Sequence, residues 1–324
     1  EVHLTSHADL ADPNGIAAAE ARLDAMVDAI NRPGKAKVRS LNADGARPEV
    51  HYHYPEAAFK ADVGKIREYI MAGDCMQVVP SQRMSCDFPH PPLDYYRALR
   101  ITNPSPYMYL LDLDDFHIIG SSPEILARKQ GDTVTVRPLA GTRKRGKNDE
   151  EDALLAADLR SDEKECAEHA MLVDLARNDL GRISVPGSVR VPKLMEVERF
   201  SHVSHMVSSV VGTISPVYTP MDVLRATFPA GTVSGAPKLR AMEIIHEQEK
   251  ENRGFYAGTV GYIDFRGNMD MCITLRTMCI ESDDTAIIQS GAGIVKDSVP
   301  EKEYLEILQK AKALFEVVEE VENN

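Results

Sequence analysis

Apolar and polar positions divide this chain into helices and strands that come in clusters rather than in strict alternation. Phe59–Met71 carries apolar residues at helical spacing, and Gly73 supplies a stop. Met76–Pro80 reads as a strand. Tyr107–Leu111 and Phe116–Ile119 flank Asp112-Leu113-Asp114-Asp115, the pattern of a hairpin. Thr133–Val136 is a further strand. Asp149–Arg177 is helical except near Ser161-Asp162, where a capping residue followed by acids starts a second helix. Strands follow at Ser188–Val191 and His205–Ile214. Then come a helix from Pro220, a Gly-rich loop over Pro229–Pro237 and a helix that Pro237 opens. Three β segments, Phe255–Asp264, Met269–Ile280 and Thr285–Ile294, precede a last helix over Pro300–Glu319. Clustered strands and helices predict an α+β fold rather than a doubly wound parallel sheet.

The region before Phe59 is different. Ala17–Ile30 is an Ala-rich helical pattern, Asn31-Arg32-Pro33-Gly34 is a turn signal, and residues 35–56 are polar and weakly patterned. The expected organisation is therefore a peripheral helix and linker over 1–56 and one large domain over 57–324. The first residue is not Met, so the sequence reads as a processed or truncated piece.

Composition narrows the function classes. The 324 residues carry a net charge of −13, which argues against nucleic acid as partner. No apolar run reaches the ~18 residues of a membrane span, and no signal-peptide core is present. Five cysteines, widely spaced and without a Cys-x-x-Cys pair, fit reduced thiols in the cytoplasm.

Three features carry candidate chemistry. Glu165 with Glu168 and Glu303 with Glu306 are Glu-x-x-Glu pairs on helical stretches, and residues three apart share a helix face. Two such pairs facing each other would suit a hard cation such as Mg²⁺; either pair alone reads first as a solvated face of an acidic protein, as Glu316 with Glu319 does. The loop from Phe228 to Lys238 is either a connecting loop or an anion cradle, but it lacks the Lys-Ser/Thr ending of a P-loop. Arg276 lies within the apolar run Cys272–Met278, facing either solvent or a pocket where its fork would clamp a carboxylate. His205 is a candidate acid or charge-bearing donor near neutral pH.

Five motifs occur in one order: Pro138-Leu139-Ala140-Gly141-Thr142-Arg143, Glu165 to His169, Leu175-Ala176-Arg177-Asn178-Asp179, Pro229 to Lys238, and Gly291-Ala292-Gly293. Together, from about Phe59 to the end, they resemble the chorismate-utilising enzymes, most closely the large subunits that form anthranilate. The resemblance implies a fold of two antiparallel β-sheets packed together with helices outside. It implies Mg²⁺ held by Glu168 and Glu306, with Glu165 and Glu303 as supporting carboxylates. Gly141, Thr142, Gln77, Leu275 and the Gly291–Ala292–Gly293 backbone would contact chorismate, and Tyr256 and Arg276 would hold its enolpyruvyl carboxylate. Glu124 matches the general acid, His205 an active-site histidine that assists pyruvate loss, and Thr232 a pocket residue.

Two positions sort the family. Members that add water carry a lysine where this chain has Gln77, and members with a covalent lysine carry it where this chain has Ala140. Both differences imply ammonia as nucleophile and anthranilate with pyruvate as products, the step that starts tryptophan biosynthesis. A separate glutamine amidotransferase subunit would supply the ammonia. The rivals are release of 2-amino-2-deoxyisochorismate and a non-catalytic chorismate-binding remnant; a di-metal oxidase fits poorly because only one Glu-x-x-His occurs, Glu243 to His246. Pro104, Tyr107 and Met108 resemble half of a tryptophan-feedback pocket, so weak or absent feedback inhibition is expected.

Overall fold

The computed structural model describes residues 2–32, 48–200 and 203–322. The expected turn at Pro33-Gly34 and the linker up to residue 47 lie outside the described residues. The chain divides into two units, Glu1–Ser40 and Leu41–Asn324, where the sequence reading put its boundary at residue 56. The first unit holds helix α1 (Gly15–Asn31). Arg22 on it reaches back to the Ser6 hydroxyl at 3.1 Å and the His7 carbonyl at 2.6 Å.

The second unit opens with β1 (His51–Tyr52), α2 (Glu56–Ala72), β2 (Gln77–Val78), β3 (Ser81–Asp87) and α3 (Pro92–Thr102). Next come β4 (Tyr107–Leu113), β5 (Phe116–Ser122), β6 (Ile125–Gln130), β7 (Thr133–Val136) and β8 (Leu139–Lys144). Helices α4 (Asp149–Ser161) and α5 (Glu163–Gly181) precede the long hairpin β9 (Arg190–Arg199) and β10 (Val203–Thr213). Helix α6 (Pro220–Thr227) leads through a 3₁₀ turn (Gly231–Val233) and β11 (Gly235–Ala236) into α7 (Lys238–Gln248). The chain closes with β12 (Thr259–Ile263), β13 (Met269–Ile273), β14 (Thr277–Glu281), β15 (Thr285–Gly291) and α8 (Pro300–Glu322).

Two antiparallel sheets result. One has six strands in the order β1-β3-β15-β14-β5-β4. The other runs β12-β13-β6-β7-β10-β8, with β9 on β10. A two-stranded piece joins β11 to β2. Helices cover both sheets. Phe59, Val63 and Ile66 of α2, Tyr95 and Leu99 of α3, and Ile307, Leu314 and Val318 of α8 bury against Met84, Ile119, Met278 and Ile288 of the first. Val173, Ala176 and Leu180 of α5 and Val223 of α6 bury against Ala127, Val134, Val210 and Met269 of the second. Burying each such side chain contributes ~1.5–3 kcal/mol, so the apolar face of each helix fixes which way its polar face looks.

Local signals set the boundaries that matter. Gly73, at φ +88°, closes α2 by donating to the Ile70 carbonyl. Asp162 separates α4 from α5 because its carboxylate caps the Lys164 and Glu165 amides, each at 3.1 Å. Part of the Gly-rich loop is bonded to itself and to the sheet: the Val233 and Ser234 amides donate to the Ala230 and Gly231 carbonyls, and Gly235 and Ala236 pair with Val78 and Gln77.

Candidate active site

The chain passes between the two sheets at two places that touch each other. From β5 to β6 it crosses at Pro123-Glu124, and from β13 to β14 at Thr274-Leu275-Arg276. The crossings are stitched together: Ile273 N–H donates to the Glu124 carbonyl at 3.0 Å, and Ser121 N–H to the Arg276 carbonyl at 3.0 Å. The Ser122 hydroxyl donates to the Ile273 carbonyl at 2.6 Å. Arg276 therefore is not within a strand, as the apolar run suggested. It sits in a tight turn at φ +48°, a conformation that costs a non-glycine residue energy and breaks strand alternation.

Glu124 is 5% exposed, and burial pushes its carboxyl up to about 8. The Thr232 side chain and the Leu139 amide lie against that carboxyl and pull the other way, but less strongly. Thr232 Oγ1 is buried and has no partner at hydrogen-bond geometry, so it is free to turn toward a ligand or the carboxyl. A cavity of about 30 Å³ opens behind these two residues, large enough for a water.

On β10, His205 Nδ1 lies 3.1 Å from the Gly141 carbonyl and 3.0 Å from the Thr142 hydroxyl. A carbonyl only accepts, so Nδ1 carries the proton and Nε2 keeps a free lone pair. Burial lowers the imidazole to about 4, with Arg276 and Lys310 pushing the same way. That direction favours a neutral imidazole with Nε2 as an acceptor over the charge-bearing donor the sequence suggested. Gly141 takes φ +72°, and a side chain there would press on Glu165 Oε2 at 3.1 Å.

Arg276 is desolvated, which lowers its affinity for its proton, and no described carboxylate pairs with it. A half-buried, desolvated guanidinium without a carboxylate partner is a site for an anion. Tyr256 is buried, its phenol pushed up to about 12, and a Cβ on Gly291 would meet Tyr256 Oη at 2.6 Å. A Cβ on Gly293 would likewise meet Gln77 Nε2 at 2.6 Å. The Gln77 side-chain oxygen Oε1 is buried and unpartnered. Ala292 N–H is already taken by the Pro80 carbonyl at 3.2 Å. The sequence reading missed Lys310, whose Nζ lies 2.9 Å from the Gly291 carbonyl and 2.7 Å from Glu306. Its charge reaches Glu124, His205 and Glu303. The available signal was its place one turn after Glu306 on the same helix face.

The carboxylate pairs face one another from α5 and α8. Burial raises the Glu168 carboxyl, and the charges of Glu165, Glu303 and Glu306 add to the effect despite Lys164 at 3.8 Å. Burial and Glu306 raise Glu303 as well. Arg143 reaches Glu165 at 3.3 Å while also bonding Asp158 and Asp162. Crowded carboxylates of this kind are the donors a hard divalent cation takes, and its charge would offset their mutual repulsion. Among the described residues no three His, Cys, Asp or Glu side chains converge closely enough to hold a metal unaided. A ligand oxygen from elsewhere would complete the shell. His169, next to Glu168, belongs to the fold instead: it is fully buried, with Nε2 2.6 Å from the Ser208 hydroxyl.

The remaining residues stand apart. Tyr107 donates to Asp270 at 2.8 Å and accepts from Arg128 at 3.1 Å. Met108 packs on the core of the six-stranded sheet, and Pro104 is exposed.

Residues 4–316 match the family model of chorismate binding enzymes. Anthranilate synthase component 1 of Pseudomonas putida is 50% identical over 321 residues, 98% of this chain and 65% of that protein. The Aquifex aeolicus protein of the same name is 57% identical over 272 residues, 84% of this chain and 55% of its own. The crystal structure of anthranilate synthase component I from Streptococcus pneumoniae TIGR4 superposes with a TM-score of 0.85 at 46% identity, covering 92% of this chain and 66% of that one. The chain thus spans less than two thirds of the length of these relatives.

Proposed function

The chain belongs to the chorismate-binding enzyme family, and from that premise we propose that it converts chorismate and ammonia to anthranilate and pyruvate. The carrying observation is the seam between the sheets, where a carboxyl held protonated near neutral pH and a half-buried guanidinium with no carboxylate partner come from two chain crossings bonded to each other. The name shared by relatives at about 50% identity supports the choice of product.

In this reading Arg276 and Tyr256 hold the enolpyruvyl carboxylate, and the Gly141-Thr142 and Gly291–Gly293 segments orient the ring. Glu124 donates its proton to the C4 hydroxyl as it leaves, since hydroxide is a poor leaving group. Ammonia adds at C2. Gln77, a carboxamide rather than a lysine, cannot act as base toward water there. His205 Nε2 then accepts the C2 proton as pyruvate departs, with Nδ1–H pinned by the Gly141 carbonyl. Mg²⁺ would be held by Glu168 and Glu306, supported by Glu165 and Glu303, and would supply the positive charge that lets a dianion enter an acidic site. Ammonia would come from a glutamine-hydrolysing partner, as the designation "component 1" of the relatives suggests. Five free cysteines, four of them buried, support a reducing compartment such as the cytoplasm, and no described helix is long and apolar enough to cross a membrane.

The test is to mix the purified chain with chorismate, Mg²⁺ and ammonium at mildly alkaline pH and follow anthranilate fluorescence beside pyruvate. Both rising together is the expected result. Chorismate loss without either product would replace the reading by release of the aminated intermediate, and binding without turnover would replace it by the non-catalytic one.

A further inference from the structure

Arg253 stands in none of the motifs above, yet three site segments meet at its side chain and a fourth is reached through its partner Glu249. The guanidinium and its partner Glu249 are 18% and 7% exposed. They form a two-pronged pair, Nε to Oε2 at 2.9 Å and Nη2 to Oε1 at 2.7 Å. The other donors go to backbone carbonyls: Nη1 to Val233 at 2.6 Å and Nη2 to Val79 at 2.5 Å. The cation also lies 5.4 Å from the centre of the Tyr256 ring. Glu249 extends the set, accepting from the Ser81 amide at 2.9 Å and its hydroxyl at 2.8 Å. The Ser81 hydroxyl in turn accepts from Gln289 Nε2 at 2.8 Å.

Each anchor lies beside a residue assigned to the substrate. Val79 is two residues past Gln77, Val233 follows Thr232, Gln289 is two residues before Gly291, and Tyr256 is itself assigned. These segments are remote in sequence and belong to different elements. A planar five-donor fork can hold two carbonyls and a carboxylate at once, which an ammonium on a flexible stem cannot. Each of those bonds is charge-assisted and shielded from water, so the anchors are fixed relative to one another.

We propose that Arg253, oriented by Glu249, is a positioning residue that holds the Gln77, Thr232, Tyr256 and Gly291 segments in register for chorismate without meeting the substrate itself. The proposal rests on the reaction proposed above, but its test separates the two. Chorismate affinity is measured by calorimetry for wild type, Arg253→Lys, Arg253→Met and Glu249→Gln, beside urea unfolding and steady-state kinetics. Calorimetry reads the cradle even if no anthranilate forms, and absence of anthranilate from wild type would count against the reaction alone.

Arg253→Lys, which keeps the charge and loses the fork, is expected to bind chorismate about tenfold more weakly, with the ammonium KM unchanged and the unfolding midpoint near wild type. Glu249→Gln, which keeps the fork and loosens its orientation, is expected to show a smaller loss in the same direction. Wild-type chorismate affinity in Arg253→Lys would overturn the proposal. So would affinity that falls in any of the variants only in proportion to the unfolded fraction, the behaviour of a residue that serves folding alone.

Discussion

Glu124 shows how one residue couples chemistry to stability. Its carboxyl titrates near 8 in the folded chain against 4.5 for an ordinary glutamate. Between those values the folded chain holds a proton that the unfolded chain has lost, so this group's contribution to stability falls as pH rises from about 4.5 to about 8. Glu124→Gln should therefore raise the melting temperature by at least roughly 2 °C at pH 8 and much less at pH 5. The same variant should lose ~10²–10⁴-fold in kcat, with the alkaline limb near pH 8 gone from what activity remains. Equal stabilisation at both pH values would mean that Glu124 is not held protonated. His205 has the opposite sign. Its imidazole is lowered from 6.5 to about 4, so its contribution to stability is lost as pH falls through that window. His205→Asn should accordingly flatten the loss of stability between pH 6.5 and 4, measured by urea unfolding. Neither value was legible in the sequence. The family resemblance pointed to a role for Glu124, but burial decides its protonation, and burial comes from strands far apart in the chain.

At the scale of elements, helix α5 illustrates what sequence can and cannot fix. Asp162 was readable as a cap because capping is local, and the structure puts its carboxylate on two α5 amides and on Arg143 at 2.9 Å. The cap is also what aims Glu165 and Glu168. Asp162→Ala should cost ~1–2 kcal/mol in urea unfolding and weaken Mg²⁺ binding in calorimetry, because the first turn carrying Glu165 loses its anchor. Glu168→Gln makes a sharper pair of outcomes. Without metal it should raise the melting temperature, since it removes a desolvated carboxylate crowded by three others. With Mg²⁺ present it should forgo most of the stabilisation that wild type gains from the ion. A variant that gains as much from Mg²⁺ as wild type would remove Glu168 from the metal shell. Where the sequence failed at this scale, a tertiary reason is visible. Met269–Ile280 reads as one strand because most of its residues are apolar or β-branched; the break at Thr274–Arg276 is imposed by the passage from one sheet to the other. Strand β9 was largely missed because it is an outer strand paired only with β10, with no fully buried residue, so its charged and apolar residues mix with little period.

For the whole molecule, the site depends on α5 and the Thr232 loop, which lie against each other at Leu172, Leu175 and Gly231, keeping their relative places. One buried pair links the two: Lys238 at the start of α7 lies 2.7 Å from Asp179 near the end of α5, their side chains 14% and 8% exposed. Burial pushes both toward their neutral forms, Asp179 upward and Lys238 downward, so removal from water outweighs their attraction in each. Such a pair costs more to break than to replace. Lys238→Met leaves Asp179 with only Arg182, at 2.8 Å and half exposed, and removes the bond from Nζ to the Thr227 carbonyl. Urea unfolding should show a loss of ~3–5 kcal/mol for that single change, and a clearly smaller loss when Asp179→Leu is added to it. The comparison tests the architecture and not only the pair. If the double variant recovers stability but its chorismate KM stays raised, the ion pair holds the loop against α5 for function. If stability and KM recover together, apolar packing between α5 and α6 suffices to fix those places, and Lys238 serves only to neutralise Asp179.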